Sequence, residues 1–253
     1  MTDDWRIWNH AKAYGDLLYK RATGDEDEME SSKALCKILS PLYEKHMKVL
    51  DVGCGAGHYL RSLRLRIDEN ICYTGIDATE YYVELARKAF GASRFLPGDI
   101  YNLPFKDNSF DIVICCNLIL HLPPPPIKPI SELIRVSSKE IVIRTIFGER
   151  NYIIKEVRSS EEIEGLPARE GNLIDQEGKP LAYNYFNMYT EQYFRDVVAD
   201  INGDTDMKII RDDYWNPFDN TAVAGKTATK VIGDKQVSGN LLLDWRFIVL
   251  SKK

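Results

Sequence analysis

Residues 49–60, with the sequence VLDVGCGAGHYL, leave the chain few ways to fold. An apolar run that carries an aspartate ends in Gly53, Gly55 and Gly57, and a helix-forming pattern follows. Glycine adopts backbone angles that other residues avoid, and a helix that begins after such a turn points its amino terminus at whatever the turn holds. The segment therefore predicts a buried strand, a ligand-binding turn and a helix, which together open an α/β fold.

Apolar strand segments alternate with amphipathic helix segments along the rest of the chain. We predict further strands at residues 71–77, 93–99, 109–120, 140–147, 207–215 and 241–253, and helices at residues 8–21, 31–46, 58–67, 80–90, 127–138 and 190–201. Thr190 is placed to cap the last of these helices. The alternation is typical of a mostly parallel sheet that is covered by helices on both faces.

The composition excludes several classes of protein. The formal net charge is -5 and the pI is near 5.5, so we expect no nucleic-acid partner. No apolar run approaches the roughly 20 residues of a membrane span, and the acidic start differs from a secretory signal, so we expect a cytoplasmic protein. The five cysteines show no C-x-x-C spacing and predict reduced thiols, with neither a disulfide framework nor a metal site.

The glycine spacing narrows the ligand that the turn holds. A dinucleotide fingerprint needs a small third residue where this chain has His58, and a Walker loop needs a G-K-[ST] sequence that is absent. Asp51 at the strand end repels a pyrophosphate and attracts a cation. Asp77 ends the next strand at about the offset from which an acidic residue reaches ribose hydroxyls. A ribose with a cationic tail and no phosphate describes S-adenosylmethionine.

Three segments between residues 48 and 139 resemble motifs of the class I S-adenosylmethionine-dependent methyltransferases. VLDVGCGAG resembles their first motif, GIDAT resembles the acidic second motif, and GDIYNLPFKDNSFDIVICCNLILHL resembles the motifs that follow in the ubiquinone- and menaquinone-biosynthesis branch. The resemblance implies a Rossmann-like, seven-stranded, mostly parallel sheet with one antiparallel strand, for which LLLDWRFIVLSKK is the candidate.

The same resemblance implies a set of cofactor contacts. Asp51, Gly53 and Gly55 are expected along the methionyl part, Asp77 at the ribose, Asp99 and Ile100 at the adenine, and the backbone around Asn117 at the amino-acid end; Tyr14, Cys54 and Ala78 complete the set. Two of these contacts have a structural alternative: Asp99 also suits a turn cap, and Tyr14, like Tyr19 on the same predicted helix, also suits the core. Gly57, which we leave out of the set, suits close packing of helix on strand.

We predict two parts in the chain. Residues 1–45 form an amino-terminal helical lid, and residues 46–253 form the Rossmann-like domain. Within that domain, residues 148–189 weaken into polar, aromatic, Gly- and Pro-containing sequence, which is more typical of a functional cap than of a plain connection.

Several residues are candidates for the acceptor side of the site. His121 follows the fourth predicted strand, where a neutral imidazole can take a proton, although packing of a loop is the alternative. Tyr19 and Tyr185 suit a lid, and Arg144 suits an acidic substrate or a structural ion pair. Cys115 and Cys116 lie in an apolar strand and are expected to be core thiols.

The sequence therefore predicts transfer of a methyl group from S-adenosylmethionine to a small-molecule acceptor. The pattern [DN]-P-P-[YFW] of base N-methyltransferases is absent from the end of the fourth strand, which reads CNLI. Two alternatives stay open, a non-catalytic S-adenosylmethionine-binding protein and a nicotinamide-dependent oxidoreductase. The identity of the acceptor, the acceptor atom and the oligomeric state are not predicted.

Overall fold

A twisted open sheet carries the fold of this protein. The structure is a computed structural model that describes residues 5–157, 174, 176–180, 182–212, 230–232, 235–238 and 241–252. Five parallel strands form one side of the sheet, in the order β3-β2-β1-β4-β5. They are β1 (Lys48–Val52), β2 (Cys72–Asp77), β3 (Phe95–Pro97), β4 (Phe110–Cys116) and β5 (Ser137–Phe147).

One long strand reverses direction on the other side of β5. Strand β11 (Leu241–Lys252) is antiparallel both to β5 and to β8 (Thr205–Arg211), which confirms the predicted antiparallel strand. The sheet is wider than the predicted seven strands, because the first residues of β11 pair with β10 (Lys235–Ser238) and β10 pairs with β9 (Lys230–Ile232). Nine strands of the described part of the chain thus share this sheet.

Helices cover both faces of the sheet, as predicted. They are α1 (Lys12–Thr23), α2 (Glu30–Leu39), α3 (His58–Arg66), α4 (Glu80–Phe90), α5 (Ile127–Val136) and α6 (Glu191–Ile201). Alternate residues of the central strands enter different cores: Val113 and Cys115 pack with α5 and α6, whereas Ile112 and Ile114 pack with α2, α3 and α4. Strands that are buried on both faces read as continuous apolar runs, which is why the sequence revealed them.

Two helix starts test the reading of local sequence. The Thr190 hydroxyl accepts a hydrogen bond from the Tyr193 amide at 3.2 Å, which confirms the predicted cap of α6. The predicted first helix is wrong at its start: Ile7–His10 form a 3₁₀ turn, and α1 begins only at Lys12. Ala11 lies between the two with φ -93° and ψ 61°, outside the helical region, so the side chains before it follow no α-helical spacing.

The predicted cap is described only in part, because residues 158–173, 175 and 181 lie outside the described ranges. Its described ends form a hairpin of β6 (Lys155–Val157) and β7 (Tyr183–Tyr185). The Asn187 amide and side chain donate to the carbonyl oxygens of Leu120 and Leu122, each at 2.8 Å. The hairpin and the residues after it therefore lie against the loop that follows β4, while its role as a cap stays a prediction.

The described residues contain no helix that is both long enough and apolar enough to cross a membrane. Within the same residues, no three His, Cys, Asp or Glu side chains are grouped so that they would hold a metal ion. All five cysteines are free thiols. Burial raises the pKa of Cys115 and of Cys116, so both stay protonated in the core, as expected of core thiols.

Candidate functional site

The glycine turn between β1 and α3 is held open by three left-handed glycines. Gly53, Gly55 and Gly57 have φ values of 81°, 53° and 82°. The Gly53 and Cys54 amides both donate to the carbonyl of Ile76, which ties the turn to the end of β2. A Cβ at Gly57 would lie 3.0 Å from the rings of Phe90 and Phe95, so this glycine serves the packing of helix on strand.

Asp77, the last residue of β2, is locked in place by the backbone. Its Oδ2 accepts from the Gly55 amide at 2.8 Å and its Oδ1 accepts from the Thr79 amide at 2.9 Å. Burial raises the pKa of Asp77, and these two hydrogen bonds act in the opposite direction. A carboxylate has about four lone-pair positions, and the Thr79 side chain is a third donor, so the group retains capacity for one more. The Asp77 side chain lines a cavity, and its hydrogen bonds to the backbone fix its orientation there.

The cavity lies at the carboxyl ends of the parallel strands, where ligands of open α/β sheets bind. It contains about 1080 Å³ of space, including the part that opens to solvent. Nine residues predicted from the sequence meet on its walls: Tyr14, Gly53, Gly55, Asp77, Ala78, Asp99, Ile100, Asn117 and His121. The sequence thus identified residues from five separate segments that the fold brings together.

The other predicted site residues lie off the cavity wall. They are Asp51, Cys54, Tyr19, Arg144 and Tyr185. Cys54 is fully buried beneath the turn, next to Gly75. The ring of Tyr19 packs at the edge of α1, with the Lys88 ammonium 4.9 Å from its centroid. Arg144 is paired with Asp212 inside the protein.

Asp51 lies behind the turn, whereas the sequence placed it along the ligand. It is 1% exposed, and its Oδ2 accepts a hydrogen bond of 2.6 Å from the hydroxyl of Tyr73 on the neighbouring strand. Its strand position turns the side chain toward the core that contains α2, α3 and α4. Burial is the largest influence on this carboxyl group and raises its pKa to about 7.

The raised pKa of Asp51 predicts how stability depends on pH. The native state keeps a proton on Asp51 that the unfolded state has already lost between about pH 4 and pH 7, so the free energy of unfolding falls as pH rises through this range. Asp51→Asn cannot titrate, and we expect its urea-unfolding free energy to fall less between pH 4.5 and 8. Parallel curves for the two proteins would show that Asp51 ionises normally.

An amino-terminal segment, which we call the strap (residues 5–11), covers the cavity. Four of its side chains line the cavity: Trp5, Arg6, Trp8 and Asn9. Arg6 Nη2 lies 2.8 Å from Asp99 Oδ2, and the Trp8 ring lies edge-on to the His121 ring at 5.1 Å between centroids. The strap therefore contacts two predicted site residues that follow different strands. The sequence predicted a lid from residues 1–45 but named none of these four side chains as site residues, because a 3₁₀ turn carries no helical or strand period.

His121 has a defined tautomer in this arrangement. Its Nδ1 lies 2.8 Å from the backbone carbonyl oxygen of Tyr185. Because a carbonyl oxygen only accepts hydrogen bonds, Nδ1 carries the proton, and Nε2 of the neutral ring carries the lone pair. The predicted residue Tyr185 thus contributes its backbone to the site, while its side chain packs near Trp5.

His58 is a cavity residue that the sequence did not assign to the site. It is 8% exposed, and its Nδ1 has no hydrogen-bond partner among the described residues. Burial lowers the pKa of His58 to about 3, so the ring is neutral. Its position, directly after the third glycine and first in α3, was the available signal.

Fold and site together define a Rossmann-like protein whose glycine turn and strand-end carboxylates face one cavity. Residues 49–140 match a family model described as a methyltransferase domain. The matched region runs from β1 to the first residues of β5 and supports the resemblance to class I S-adenosylmethionine-dependent methyltransferases.

Two curated proteins and one solved structure show the extent of the likeness. The chain is 36% identical over 86 residues to the sterol 24-C-methyltransferase of Neurospora crassa, covering 32% of this chain and 22% of that protein. It is 34% identical over 115 residues to the malonyl-[acyl-carrier protein] O-methyltransferase of Pectobacterium atrosepticum, covering 44% and 42%. The chain thus spans less than half the length of either relative.

The likeness to solved structures extends over the whole fold. The magnesium protoporphyrin IX methyltransferase of Synechocystis PCC 6803 with bound S-adenosylmethionine superposes with a TM-score of 0.55, covering 100% of this chain and 99% of that chain. The sequence identity is 16%, so this likeness concerns the fold alone.

Proposed function

We propose that this protein transfers a methyl group from S-adenosylmethionine to a small-molecule acceptor bound under the strap. The observation that carries the proposal is Asp77, a strand-end carboxylate that two backbone amides orient toward the cavity and that retains acceptor capacity. This carboxylate suits a hydroxyl of a ribose. The matched methyltransferase domain and the two named relatives support the same reading.

The remaining walls fit the other parts of this cofactor. Asp99 and Ile100 would hold the adenine, and Gly53, Gly55 and the Asn117 backbone would hold the methionyl part. Gly55 has φ 53°, a left-handed backbone angle that glycine adopts without strain, and a Cβ there would lie 2.8 Å from Leu18 Cδ1. The carboxylates of Asp77 and Asp99, which line the cavity, disfavour phosphate-bearing ligands by like-charge repulsion. Asp51 supports the turn from behind through its hydrogen bond with the Tyr73 hydroxyl. Tyr14 covers the ligand from α1.

The chemistry required of the protein is limited. When bound, S-adenosylmethionine supplies a methyl group on a sulfonium that is already activated for displacement. The protein aligns the acceptor and excludes water, and this alignment is worth up to roughly 7–11 kcal/mol in ideal cases. Trp5 and Trp8 exclude water on the acceptor side. His121 takes the acceptor's proton at Nε2 when the nucleophile arrives protonated.

The strap and α1 act as the lid of this site in our proposal, and residues 148–189 act as its cap. The strap contacts both α1 and the cap: the Trp8 ring lies 5.6 Å from the Tyr14 ring on α1, and Ile7 is buried in one cluster with Ala182. We propose that Trp5 and Trp8 contact the acceptor, because both line the cavity. Tyr19 and Arg144 do not line it.

A thermal-shift comparison tests the cofactor. At about 100 times the dissociation constant, a ligand that binds only the native state adds about 2.7 kcal/mol, which we expect to raise Tm by about 5–10 °C for S-adenosylmethionine and S-adenosylhomocysteine. NAD is expected to leave Tm unchanged. Stabilisation by NAD alone would instead indicate an oxidoreductase.

A turnover assay then separates an enzyme from a binding protein. We expect the protein to form S-adenosylhomocysteine from S-adenosylmethionine when a small-molecule metabolite extract is added, and mass spectrometry of the methylated product identifies the acceptor. Stabilisation by the cofactor without turnover in any extract would favour the non-catalytic binding protein.

A further inference from the structure

A buried ion pair lies in the sheet close to the cavity. Arg144 on β5 and Asp212, just after β8, have side chains that are 3% and 0% exposed, and Arg144 Nε donates to Asp212 Oδ2 at 2.6 Å. The guanidinium carbon lies 4.0 Å from the centroid of the Trp245 ring on β11. Three strands therefore fix the plane and position of one guanidinium group.

Such a pair is a poor device for stability alone. Removing two charges from water costs about as much as their attraction returns, and well-packed apolar residues of similar volume often serve equally well. Several strand positions nearby are buried and apolar, among them Ile143 and Ile146 on β5 and Phe247 and Ile248 on β11. The buried Arg144 guanidinium is therefore better explained by a neighbouring group that it holds in position.

Arg144 holds Asn117 by both its backbone and its side chain. The Arg144 carbonyl accepts from the Asn117 amide at 2.9 Å, and Arg144 Nη1 donates to Asn117 Oδ1. Asn117 directly follows β4 and has a left-handed backbone with φ 59°. Among residues other than glycine, asparagine tolerates this conformation best, and it still needs support from its surroundings.

The conformation of Asn117 shapes a wall of the cavity. Asn117 and Leu118 both line it, and Leu118 lies opposite the glycine turn, since a Cβ on Gly53 would be only 2.9 Å from Leu118 Cδ2. A change in the backbone at residue 117 would therefore move the wall that faces Gly53.

We propose that Arg144, held by Asp212, is a positioning residue that fixes the left-handed Asn117 and thereby the wall against which the amino-acid end of the cofactor binds. The inference rests on the proposed function, because it assigns that end of the cavity to the methionyl part of S-adenosylmethionine. Neither Arg144 nor Asp212 lines the cavity.

Calorimetric titration with S-adenosylhomocysteine tests the inference. Arg144→Lys loses the planar fork and Asp212→Asn loses the charge that orients it, and we expect the dissociation constant to rise about tenfold in each. Arg135→Lys is the matched control, because Arg135 also pairs with a buried carboxylate, Glu132 at 2.7 Å, but lies on α5 and does not line the cavity. It is expected to lower Tm and leave the dissociation constant unchanged.

A double-mutant cycle separates positioning from general damage. Glycine adopts the left-handed conformation without support, so Asn117→Gly removes the group through which Arg144 acts. In that background, Asp212→Asn is expected to weaken binding by less than about twofold. Additive losses in the cycle, or wild-type affinity in both Arg144→Lys and Asp212→Asn, would overturn the inference. If Arg144→Lys does not fold, Asp212→Asn alone decides.

The proposed function fails separately from this inference. If the wild-type protein binds neither S-adenosylmethionine nor S-adenosylhomocysteine, the assignment of the cofactor is wrong. The positioning role of Arg144 toward that cofactor is then wrong as well. If the wild type binds and the variants bind equally well, only the positioning role of Arg144 is lost.

Discussion

Asp77→Ala is expected to weaken the binding of S-adenosylhomocysteine by at least about tenfold, because a hydrogen bond to a charged group contributes about 1.5–3 kcal/mol and the substitution removes the proposed acceptor of a ribose hydroxyl. It also leaves the Gly55 and Thr79 amides without their carboxylate partner, so the turn loses its anchor on β2. Calorimetric titration measures the loss of affinity, and urea unfolding measures the loss of stability.

Asp68→Ala is the matched control for this experiment. Asp68 also accepts from the amide two residues ahead, that of Asn70 at 2.9 Å, and from one further donor, the Tyr43 hydroxyl. It does not line the cavity. Its replacement removes the same kind of local turn, and we expect an unchanged dissociation constant. Equal affinity of Asp77→Ala and the wild type would show that the ribose does not bind at Asp77.

His121→Asn is expected to slow methyl transfer by about 100-fold or more if the acceptor is deprotonated during the reaction, since a positioned general base contributes typically 10²- to 10⁴-fold. The asparagine amide occupies the place of Nδ1 and still donates to the Tyr185 carbonyl, while Nε2 is lost. The rate of S-adenosylhomocysteine formation with the identified acceptor is the measurement, and the affinity for S-adenosylhomocysteine is expected to stay within about twofold of that of the wild type.

His10→Asn provides the comparison for histidine loss as such. His10 is exposed at the end of the 3₁₀ turn in the strap and does not line the cavity. Its rate is expected to match that of the wild type. A similarly unchanged rate in His121→Asn would leave His121 as the packing partner of Trp8 and Phe186, whose rings lie 5.1 Å and 5.7 Å away.

The sheet was predictable because its strands are buried on both faces. Residues such as Val49, Leu50 and Ile114 are apolar whichever core they enter, so neighbouring positions need no pattern beyond continuity. The extra strands β9 and β10 were not predicted, because their short, mixed sequence follows no clear alternation and they exist by pairing with β11.

The site was predictable where it depends on strand ends. Asp77 ends β2 and Asp99 follows β3, and parallel strands bring such residues to one edge whatever the details of packing. Asp51 lies within a strand, where the pleat alone decides which face of the sheet its side chain takes. The local sequence does not reveal that the Tyr73 hydroxyl on the neighbouring strand donates to it. The strap is a tertiary feature: Arg6 meets Asp99 only because the chain crosses the cavity.

The long strand β11 sets an order on the assembly of the protein. It pairs Asp244 with Phe147 and Ser251 with Glu140 along one edge, and it pairs Lys252 with Thr205 along the other. These partners are far apart in sequence, so their contacts form late and slowly compared with the local βαβ units. Until β11 is in place, β5 and β8 each present an unpaired edge, which is the state of this chain most exposed to aggregation.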